Sequence, residues 1–300
     1  MTHTNKTVVI AGATGYLGQH LVKAYAEAGY TVRALARTPD KIAALAGDRV
    51  DIVAAEATQP KTLQGVFDGV DLAVSAVGIT RQRDGLTYED VDYQANVNLL
   101  DAAIAAGVKR FAYVHVHRAR DLQHVDMVRA KTRFVTALQA SPIASTVIAP
   151  SGFFSDLEEV LKGARSGRVY LFGDGQAAMS PIHGADAAQA IMGAVEAGDA
   201  WRVIGGPQDM TQDDIAHAAF AALGATPKIT HLPMWLGKAI VGAFKLIGFR
   251  KSIGAIEFFI AASALDMTAP NTGTHRLVDH FETLVALQDT STRTLKGVYA

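Results

Sequence analysis

A glycine-rich segment near the beginning of the chain has the clearest chemical pattern. An apolar run, Thr7–Ala11, leads into the seven residues Gly12, Ala13, Thr14, Gly15, Tyr16, Leu17 and Gly18. In a strand–turn–helix unit of this spacing, the first glycine permits a tight turn and the second lets backbone N–H groups approach a diphosphate. The third lets the helix pack closely, and the helix N-terminus adds unpaired donors and positive potential. The segment therefore predicts nucleotide binding, with a ligand-free glycine turn as the alternative.

The end of the second apolar run bears on the type of dinucleotide. An NAD site of this kind usually has a carboxylate there, which binds the ribose 2′-hydroxyl. Here the residues are Arg33-Ala34-Leu35-Ala36-Arg37, and the next acid is Asp40. A guanidinium can bind a 2′-phosphate through paired hydrogen bonds. This pattern predicts NADP(H) rather than NAD, with solvated surface arginines as the alternative.

Two histidines alternate along another apolar run. His115 and His117 are two residues apart, so both rings are predicted to face the same side of a sheet. An imidazole that titrates near neutral pH can donate a proton. The spacing also suits a metal ion, with His124 or Asp126 completing the ligands, and packed histidines are a third interpretation. We predict no metal site and keep His115 as a candidate catalytic residue.

The first half of the chain alternates short apolar runs with amphipathic helices, Tyr16–Ala28 and Glu89–Ala106 being two examples. Runs rich in Val, Ile and Ala suit strands that are buried on both faces of a parallel sheet. We predict a doubly wound, Rossmann-type α/β fold whose carboxyl edge carries the site. The predicted strands are Thr7–Ala11, Thr31–Ala36, Val50–Ala54, Asp71–Ala76, Arg110–Val116 and Ser145–Ala149.

After Pro150 the pattern changes to glycine-rich turns and then to a long, mainly helical tail. We predict a dinucleotide-binding domain over residues 1–150 and a smaller, mainly helical substrate or lid lobe over 151–300. The 300 residues are 49% hydrophobic with a net charge of −1, which argues against disorder and against a nucleic-acid-binding protein. The absence of cysteine excludes disulfides and thiol nucleophiles. We expect no signal peptide and a cytoplasmic location.

Several segments together resemble the atypical short-chain dehydrogenase/reductases, above all their NmrA-like and divinyl chlorophyllide vinyl-reductase-like members. The resemblance is clear over about residues 5–200 and loose in the tail. It is specific for the superfamily and much less so for a substrate. The segments that carry it are Gly12–Gly18, Val70–Gly78, Val91–Val114, Ala149–Phe154 and Gly173–Ala187.

The resemblance implies where a dinucleotide lies along the chain. Asn96 matches an asparagine that organises the active site, and Glu56-Ala57 occupies a position near the adenine. The segment Pro150–Phe154 resembles one that passes the nicotinamide. The predicted cofactor contacts are Gly12, Thr14, Gly15, Tyr16, Leu17, Gly18, Arg37, Ala76, Val77, Gly78, Lys131, Pro150, Gly152 and Phe153.

The catalytic residues depart from the family pattern. Reductases of the family pair a serine with a Tyr-x-x-x-Lys motif, and Lys131 matches the lysine. Met127 stands at the tyrosine position and has no transferable proton, while His115 stands at the serine position. The resemblance implies that Lys131 holds the nicotinamide ribose; a solvated helix lysine is the alternative. Vinyl-reductase-like relatives also resemble this chain in lacking the tyrosine while keeping the lysine. The loss of the tyrosine therefore argues against carbonyl reduction more than it argues against reduction of a polarised C=C bond.

Two features lie further along the chain. Asp186 is predicted to cap the helix that follows it. Between His231 and Ser252 the chain has basic residues and no acid, with an apolar helical face opposite Lys238 and Lys245. This apolar face has three interpretations: it packs on the core, it forms a wall over the nicotinamide, or residues 231–252 make peripheral contact with anionic lipid. The predicted apolar face consists of Trp235, Leu236, Ala239, Ile240, Ala243, Phe244 and Ile247.

Two functions from different classes fit this sequence. The first is an NADPH-dependent reductase of a hydrophobic small molecule, with Lys131 and His115 as candidate catalytic residues. The second is a non-catalytic NADP(H)-binding sensor or assembly factor of the NmrA-like kind, which the missing tyrosine and serine favour. The sequence identifies neither a substrate nor an oligomeric state.

Overall fold

A computed structural model of the chain describes residues 6–79, 85–246 and 250–298. The described strands are β1 (Thr7–Ala11), β2 (Thr31–Ala36), β3 (Val50–Ala54), β4 (Leu72–Ser75), β5 (Arg110–Val114), β6 (Ala144–Pro150), β7 (Val169–Phe172), β8 (Ala178–Met179), β9 (Trp201–Ile204), β10 (Met210–Thr211) and β11 (Ile229–Leu232). The described helices are α1 (Tyr16–Glu27), α2 (Ala95–Ala105), α3 (Asp126–Ala140), α4 (Phe154–Arg165), α5 (Gly184–Ala197), α6 (Gln212–Ala222), α7 (Met234–Leu246), α8 (Arg250–Ala262) and α9 (Leu277–Val298).

Seven of these strands form one parallel sheet in the order β3-β2-β1-β4-β5-β6-β9. The chain runs outward from β1 to β3, returns to β4 and continues to the other edge. The reversal between β1 and β4 is the switch point at which doubly wound sheets bind ligands. The Rossmann-type fold is therefore confirmed, and the bounds of β1, β2 and β3 match the predicted runs.

Helices cover both faces of the sheet, as the apolar runs require. Val8 and Ile10 of β1 are buried against α1 and α5, whereas Val9 and Ala11 on the opposite face are buried against α2 and α3. Alternate residues of one strand thus supply two cores, which explains why the run shows no polar alternation.

The chain after Pro150 both extends this sheet and builds a second lobe. Strand β9 pairs with β6, and α5 packs on α1, so the sheet and its helical layer use more of the chain than residues 1–150. Helices α4, α6 and α9 share a separate apolar core, flanked by the short pairs β7–β11 and β8–β10. Helices α7 and α8 pack on each other beside β7.

Helix α7 forms where it was predicted, but the face that packs is a different one. Gly237 and Val241 are its buried residues, whereas Trp235 is 68% exposed and Phe244 is 41% exposed. The predicted face therefore does not pack on the core. Lys245, placed on the solvent side by the sequence, lies 2.5 Å from Glu257 of α8. Ile247, also assigned to that face, lies outside the described residues.

Asp186 does not cap α5, contrary to the prediction. The N-cap residue is His183, whose Nδ1 accepts a hydrogen bond from the backbone N–H of Ala185. Asp186 instead accepts hydrogen bonds from the backbone N–H groups of Thr274 and His275, at 2.8 and 2.9 Å, and from the His275 ring at 2.8 Å. Its role is structural, because it joins the chain before α9 to α5.

Candidate functional site

The glycine loop between β1 and α1 has the geometry of a diphosphate cradle. Gly12 has φ +84°, and a Cβ there would lie 2.9 Å from the carbonyl of Ala76. A Cβ at Gly18 would overlap the carbonyl oxygen of Gly12. Both positions thus require glycine, the first for its conformation and the second for the contact between helix and loop. The tight turn predicted at Gly12 and the close packing predicted at Gly18 are both seen in the structure.

The start of α1 offers backbone donors toward the same edge. Gly15 is the N-cap residue, and no side chain among the described residues caps it. The first turn of α1 contains no acid, so the helix dipole there is not offset locally. Thr14 is exposed beside it, while Leu17 is buried in the core. The N–H groups of this turn fit an anionic ligand.

The Tyr16 side chain connects α1 to the start of α5 and to the residue before α4. Its hydroxyl accepts a hydrogen bond from the Gly184 N–H at 2.9 Å, and burial raises the pKa of Tyr16 to about 12. Its ring makes an edge contact with Phe153, with the centroids 6.2 Å apart. Tyr16 therefore brings the glycine loop and the Pro150–Phe153 segment to the same region.

Of the two arginines near the end of β2, Arg37 is the one that follows the strand at the carboxyl edge. Leu35 pairs with Ala11 of β1, so Arg37 follows the strand beside the glycine loop and is exposed. Arg33 donates to the carbonyl oxygens of Val66 and Asp68, both at 2.8 Å, and thus has a structural role. The placement suits a 2′-phosphate contact by Arg37.

The turn after β4 is held by a buried polar network. The Ser75 hydroxyl donates to Asn96 Oδ1 at 2.6 Å, and the Val77 N–H donates to Ser75 Oγ at 3.2 Å. The Asn96 amide donates to the carbonyl oxygens of Val91 and Asp92, each at 3.1 Å. Asn96 therefore organises the turn that contains Ala76, Val77 and Gly78, and this turn faces the glycine loop through the contact of Ala76 with Gly12.

Lys131 lies at this same turn and is held by a buried carboxylate. Its Nζ is 3.0 Å from Asp92 Oδ1 and 3.5 Å from the hydroxyl of Tyr113, and its side chain is 11% exposed. Burial disfavours the ammonium, but Tyr113 and Asp92 outweigh that effect and raise the pKa of Lys131. A Cβ at Gly78 would be 2.6 Å from Nζ. A fixed positive charge therefore touches the backbone at the carboxyl edge of β4.

Asp92 and Tyr113 are functional candidates that were missed in the sequence. Asp92 lies in a π-helical turn, Glu89–Gln94, which forms the first part of the helix predicted over Glu89–Ala106 and leads into α2. Such turns are frequent at functional sites. Tyr113 lies two residues before His115, so the period of the strand places both on one face. Burial raises the pKa of Tyr113 to about 12, against the effect of Lys131. Asp92 follows two other acids, Glu89 and Asp90, so no local signal in the sequence distinguishes it as the buried one.

His115 lies near Lys131 but is buried and uncharged. It is 4% exposed, its Nε2 is 3.5 Å from the Thr132 hydroxyl, and its Nδ1 has no hydrogen-bond partner among the described residues. Burial and Lys131 lower the pKa of His115 to about 3. His117 lies 3.1 Å from the carbonyl oxygen of Thr268. The catalytic role of His115 stays a prediction, with the imidazole neutral at physiological pH.

The Met127 side chain is part of an apolar cluster beneath α8. It is 5% exposed and belongs to a group with Tyr88, Val125 and Val128, on which Phe258 of α8 packs. The second lobe thus covers the position at which the family motif has a tyrosine. In residues 6–79, 85–246 and 250–298, no group of histidines and acids is arranged to hold a metal ion.

The segment Pro150–Phe153 runs along the same edge. The Pro150 carbonyl oxygen accepts the His117 N–H at 3.2 Å, and the Gly152 carbonyl oxygen accepts the Ile182 N–H at 2.8 Å. Phe153 is the N-cap residue of α4. The structure therefore brings the predicted cofactor-binding residues together along the carboxyl ends of β1, β2, β4, β5 and β6.

Curated relatives of two kinds are similar to this chain. A photosystem II assembly factor, Ycf39 of Guillardia theta, is 30% identical over 151 residues, which are 50% of this chain and 48% of the relative. The chloroplastic divinyl chlorophyllide a 8-vinyl-reductase of Arabidopsis thaliana is 27% identical over 300 residues, covering 89% of this chain and 71% of the reductase. The matches to the assembly factors of Guillardia theta and Synechocystis thus span about half the length of those relatives.

The solved structures that match share the fold. The NADPH-dependent quinone oxidoreductase QOR2 of Escherichia coli, in complex with NADPH, superposes with a TM-score of 0.73 at 18% identity, covering 93% of this chain and 99% of that one. No helix in the described part of the chain has the length and apolar character needed to cross a bilayer. The model of the NmrA-like family matches residues 4–198, so the chain belongs to this family of Rossmann-fold, NAD(P)-binding proteins.

Proposed function

We propose that this protein is an NADPH-dependent reductase of an apolar small molecule that has a polarised C=C bond, such as an enone, a quinone or a vinyl-substituted ring. The observation that carries the proposal is the ammonium of Lys131, held by Asp92 against Gly78 at the carboxyl edge of the sheet. A charge fixed at this edge lies where doubly wound folds bind their ligands.

The residues at the edge fit an NADP(H) molecule. The backbone at Gly12 and Gly18 and the uncapped start of α1 suit the diphosphate, and Arg37 suits the 2′-phosphate. Lys131 would hold the nicotinamide ribose. When bound, the nicotinamide supplies a hydride, and the chemistry then depends chiefly on positioning.

The chain's own residues set the conditions for that chemistry. Lys131 places positive potential beside the site, and Asp92 and Tyr113 restrict its movement. Met127 provides no proton, and the buried, neutral His115 is a weak acid. We infer that water supplies the proton. This favours a substrate that delocalises the negative charge left by hydride transfer, because the reduction of an isolated carbonyl would need a stronger acid.

A cavity of about 370 Å³ has room for the apolar part of such a substrate, and its wall also contains four titratable side chains, those of Asp121, His124, Lys238 and Glu257. It lies between residues 121–124 and the helices α7 and α8, and Leu122 and Leu265 on its wall belong to the cluster around Met127. The divinyl reductases and the quinone oxidoreductase named above act on molecules of this apolar class. The match supports the class and leaves the individual substrate open.

A second function is favoured by one specific observation. Neither Met127 nor the buried His115 is an acid near neutral pH, and a protein that only binds NADP(H) needs none. The photosystem II assembly factors among the relatives fit a role of this kind. The alternative is therefore a non-catalytic NADP(H)-dependent sensor or assembly factor.

One experiment separates these functions. Calorimetry measures the binding of NADPH and NADH, and the absorbance of NADPH reports its oxidation with a panel of enones, quinones and vinyl-substituted tetrapyrroles. We expect turnover with at least one class, lowered at least about a hundredfold in Lys131→Met. Arg129→Gln, on an exposed residue of the same helix, is the matched control and retains activity.

Two results would overturn parts of the proposal. Tight NADPH binding without turnover on the whole panel would favour the sensor or assembly factor. Failure of the folded protein to bind either coenzyme would remove both functions.

A further inference from the structure

Apart from Lys238 and Lys245, helix α7 consists of apolar residues, yet only one side of it packs. Gly237 and Val241 are buried, and Gly237 lies close to Phe172 and Ile260. On the opposite side Trp235 is 68% exposed and Leu246 is 89% exposed. A helix that is apolar on all sides is normally surrounded by protein or by lipid. The exposed side of α7 therefore needs an explanation beyond the packing of this lobe.

The exposed residues form one continuous stripe. Trp235, Ala239, Gly242 and Leu246 follow the spacing i, i+4, i+7 and i+11, which places them on a single helix face, and all are exposed. Lys238 is exposed at the edge of this face. We call these four residues and Lys238 the α7 stripe. Helix α8, which packs on the other side of α7 at Gly237, has two exposed apolar side chains of its own, Ile256 at 47% and Phe259 at 39%.

The sequence that contains the α7 stripe is basic. From His231 to Ile256 the sequence contains Lys238, Lys245, Arg250 and Lys251 and no aspartate or glutamate. The next acid, Glu257, is 8% exposed and is bonded to Lys245, and Asp121 lies with Lys238 on the wall of one cavity. The sequence of α7 and the start of α8 still contains more basic than acidic residues. A negatively charged apolar surface is therefore complementary to this region.

We propose that the α7 stripe docks on an anionic lipid bilayer, with Trp235 and Leu246 entering the interface between headgroups and acyl chains. Tryptophan is enriched at that depth, and a flanking lysine gains energy from anionic headgroups. A second copy of the chain fits less well, because its stripe would place the same positive charges opposite these. The inference is independent of catalysis, since it concerns only where the protein binds.

The two tryptophans of the chain, Trp201 and Trp235, allow a direct test. Trp201 is 44% exposed in β9 and is not part of the stripe, so it is a matched control. In the Trp201→Phe variant the remaining Trp235 reports on the stripe. On addition of vesicles containing phosphatidylglycerol, we expect its emission to shift to shorter wavelength, whereas Trp235→Phe shows no shift.

Co-sedimentation with the same vesicles measures the strength of binding. Lys238→Gln should weaken it about fivefold, the effect of one basic residue at an anionic surface. Trp235→Ala should weaken it at least about tenfold through lost apolar burial. Leu287→Ala, on a residue of α9 that is 62% exposed, is the control and should leave binding unchanged. These substitutions are at exposed positions and should leave the fold intact.

Three results would overturn the proposal. One is an unshifted Trp235 emission with anionic vesicles. Another is equal binding to vesicles of neutral phosphatidylcholine, because the charge argument would then be wrong. The third is self-association in sedimentation velocity that Trp235→Ala abolishes, because the stripe would then be an interface between copies of the chain.

Discussion

The ammonium nitrogen of Lys131 lies 3.0 Å from Oδ1 of Asp92, a carboxylate with no exposed surface. The lysine comes from α3 and the aspartate from the π-helical turn that precedes α2. Moving each ion out of water costs several kcal/mol, which is recovered only while the partner and its hydrogen bonds are present. Asp92 also accepts the Ile79 N–H at 3.3 Å. The position of Lys131 therefore depends on a residue outside the family's catalytic motif.

Removing one member of this pair should destabilise the protein strongly. Asp92→Ala leaves the ammonium buried without its partner, and we expect the free energy of unfolding to fall by about 3–5 kcal/mol. Combining it with Lys131→Met removes both charges and should recover most of that loss. Urea denaturation followed by circular dichroism measures both variants.

An exposed pair on the same helix provides the comparison for Asp92→Ala. Oδ1 of Asp126 lies 2.6 Å from a guanidinium nitrogen of Arg129, and the two side chains are 41% and 55% exposed. Asp126→Asn should cost less than about 1 kcal/mol, because water already solvates both charges. If Asp92→Ala cost no more than Asp126→Asn, the pair would not be buried in solution as the structure has it.

A methyl group at Gly18 should disrupt the glycine loop. It would overlap the carbonyl oxygen of Gly12, which is backbone and cannot move aside without shifting the loop. We expect Gly18→Ala to abolish measurable binding of NADPH in calorimetry. Gly193→Ala is the control, because this helical glycine of α5 has no atom within 4 Å of the added carbon. That variant should be stabilised by about 0.5–1 kcal/mol and bind normally. Normal binding by Gly18→Ala would contradict the cradle.

Arg37 should determine the preference for NADPH over NADH. Arg37→Gln removes the guanidinium expected at the 2′-phosphate, so affinity for NADPH should fall about tenfold to a hundredfold while affinity for NADH stays the same. Lys41→Gln, at an exposed residue four positions further on, controls for a general loss of positive charge. Calorimetric titration with both coenzymes distinguishes the outcomes, and an equal loss for both would contradict a 2′-phosphate contact.

The sheet could be predicted from the sequence because its strands are local features. Runs such as Thr7–Ala11 are apolar without alternation, which only a strand covered on both faces requires. The packed face of α7 could not be predicted in this way. Apart from two lysines its residues are apolar, so hydrophobicity alone does not distinguish the side at Val241 from the side at Trp235.

The candidate site was predictable where backbone geometry fixes the residue type, as at Gly12 and Gly18. The positions of side chains whose partners are distant in sequence could not be predicted. Lys131 and Asp92 meet across two helical segments, and Asp186 bonds to Thr274 and His275 rather than to its own helix. Such pairs depend on how helices pack, which no local pattern encodes. Tyr113 was overlooked although its spacing from His115 placed it on the same strand face.

His183 sits in a group of side chains that disfavours its protonation. Burial, with the rings of His275, His20 and His280, lowers the pKa of His183 to about 4, and nearby Asp186 opposes the effect. The His275 ring is stacked on it, with the centroids 4.4 Å apart. Its Nδ1 caps α5 as an acceptor and can do so only with the lone pair free.

The stability of the protein should therefore fall with pH in a window set by this histidine. Between the unfolded pKa of about 6.5 and the folded value of about 4, the unfolded state binds a proton that the folded state does not, so stability is lost as pH decreases. Solvent screens the half-buried ring, so we expect a loss of about 1–2 kcal/mol.

His183→Asn keeps a capping acceptor but does not titrate, and it should remove this part of the pH dependence while retaining stability at pH 7. His183→Ala should show the same reduced slope with about 1 kcal/mol lower stability at every pH, because the cap is lost as well. Urea denaturation of the three proteins at intervals from pH 7.5 to 4 measures the slopes, and equal slopes for His183→Asn and the wild type would show that the proton is bound elsewhere.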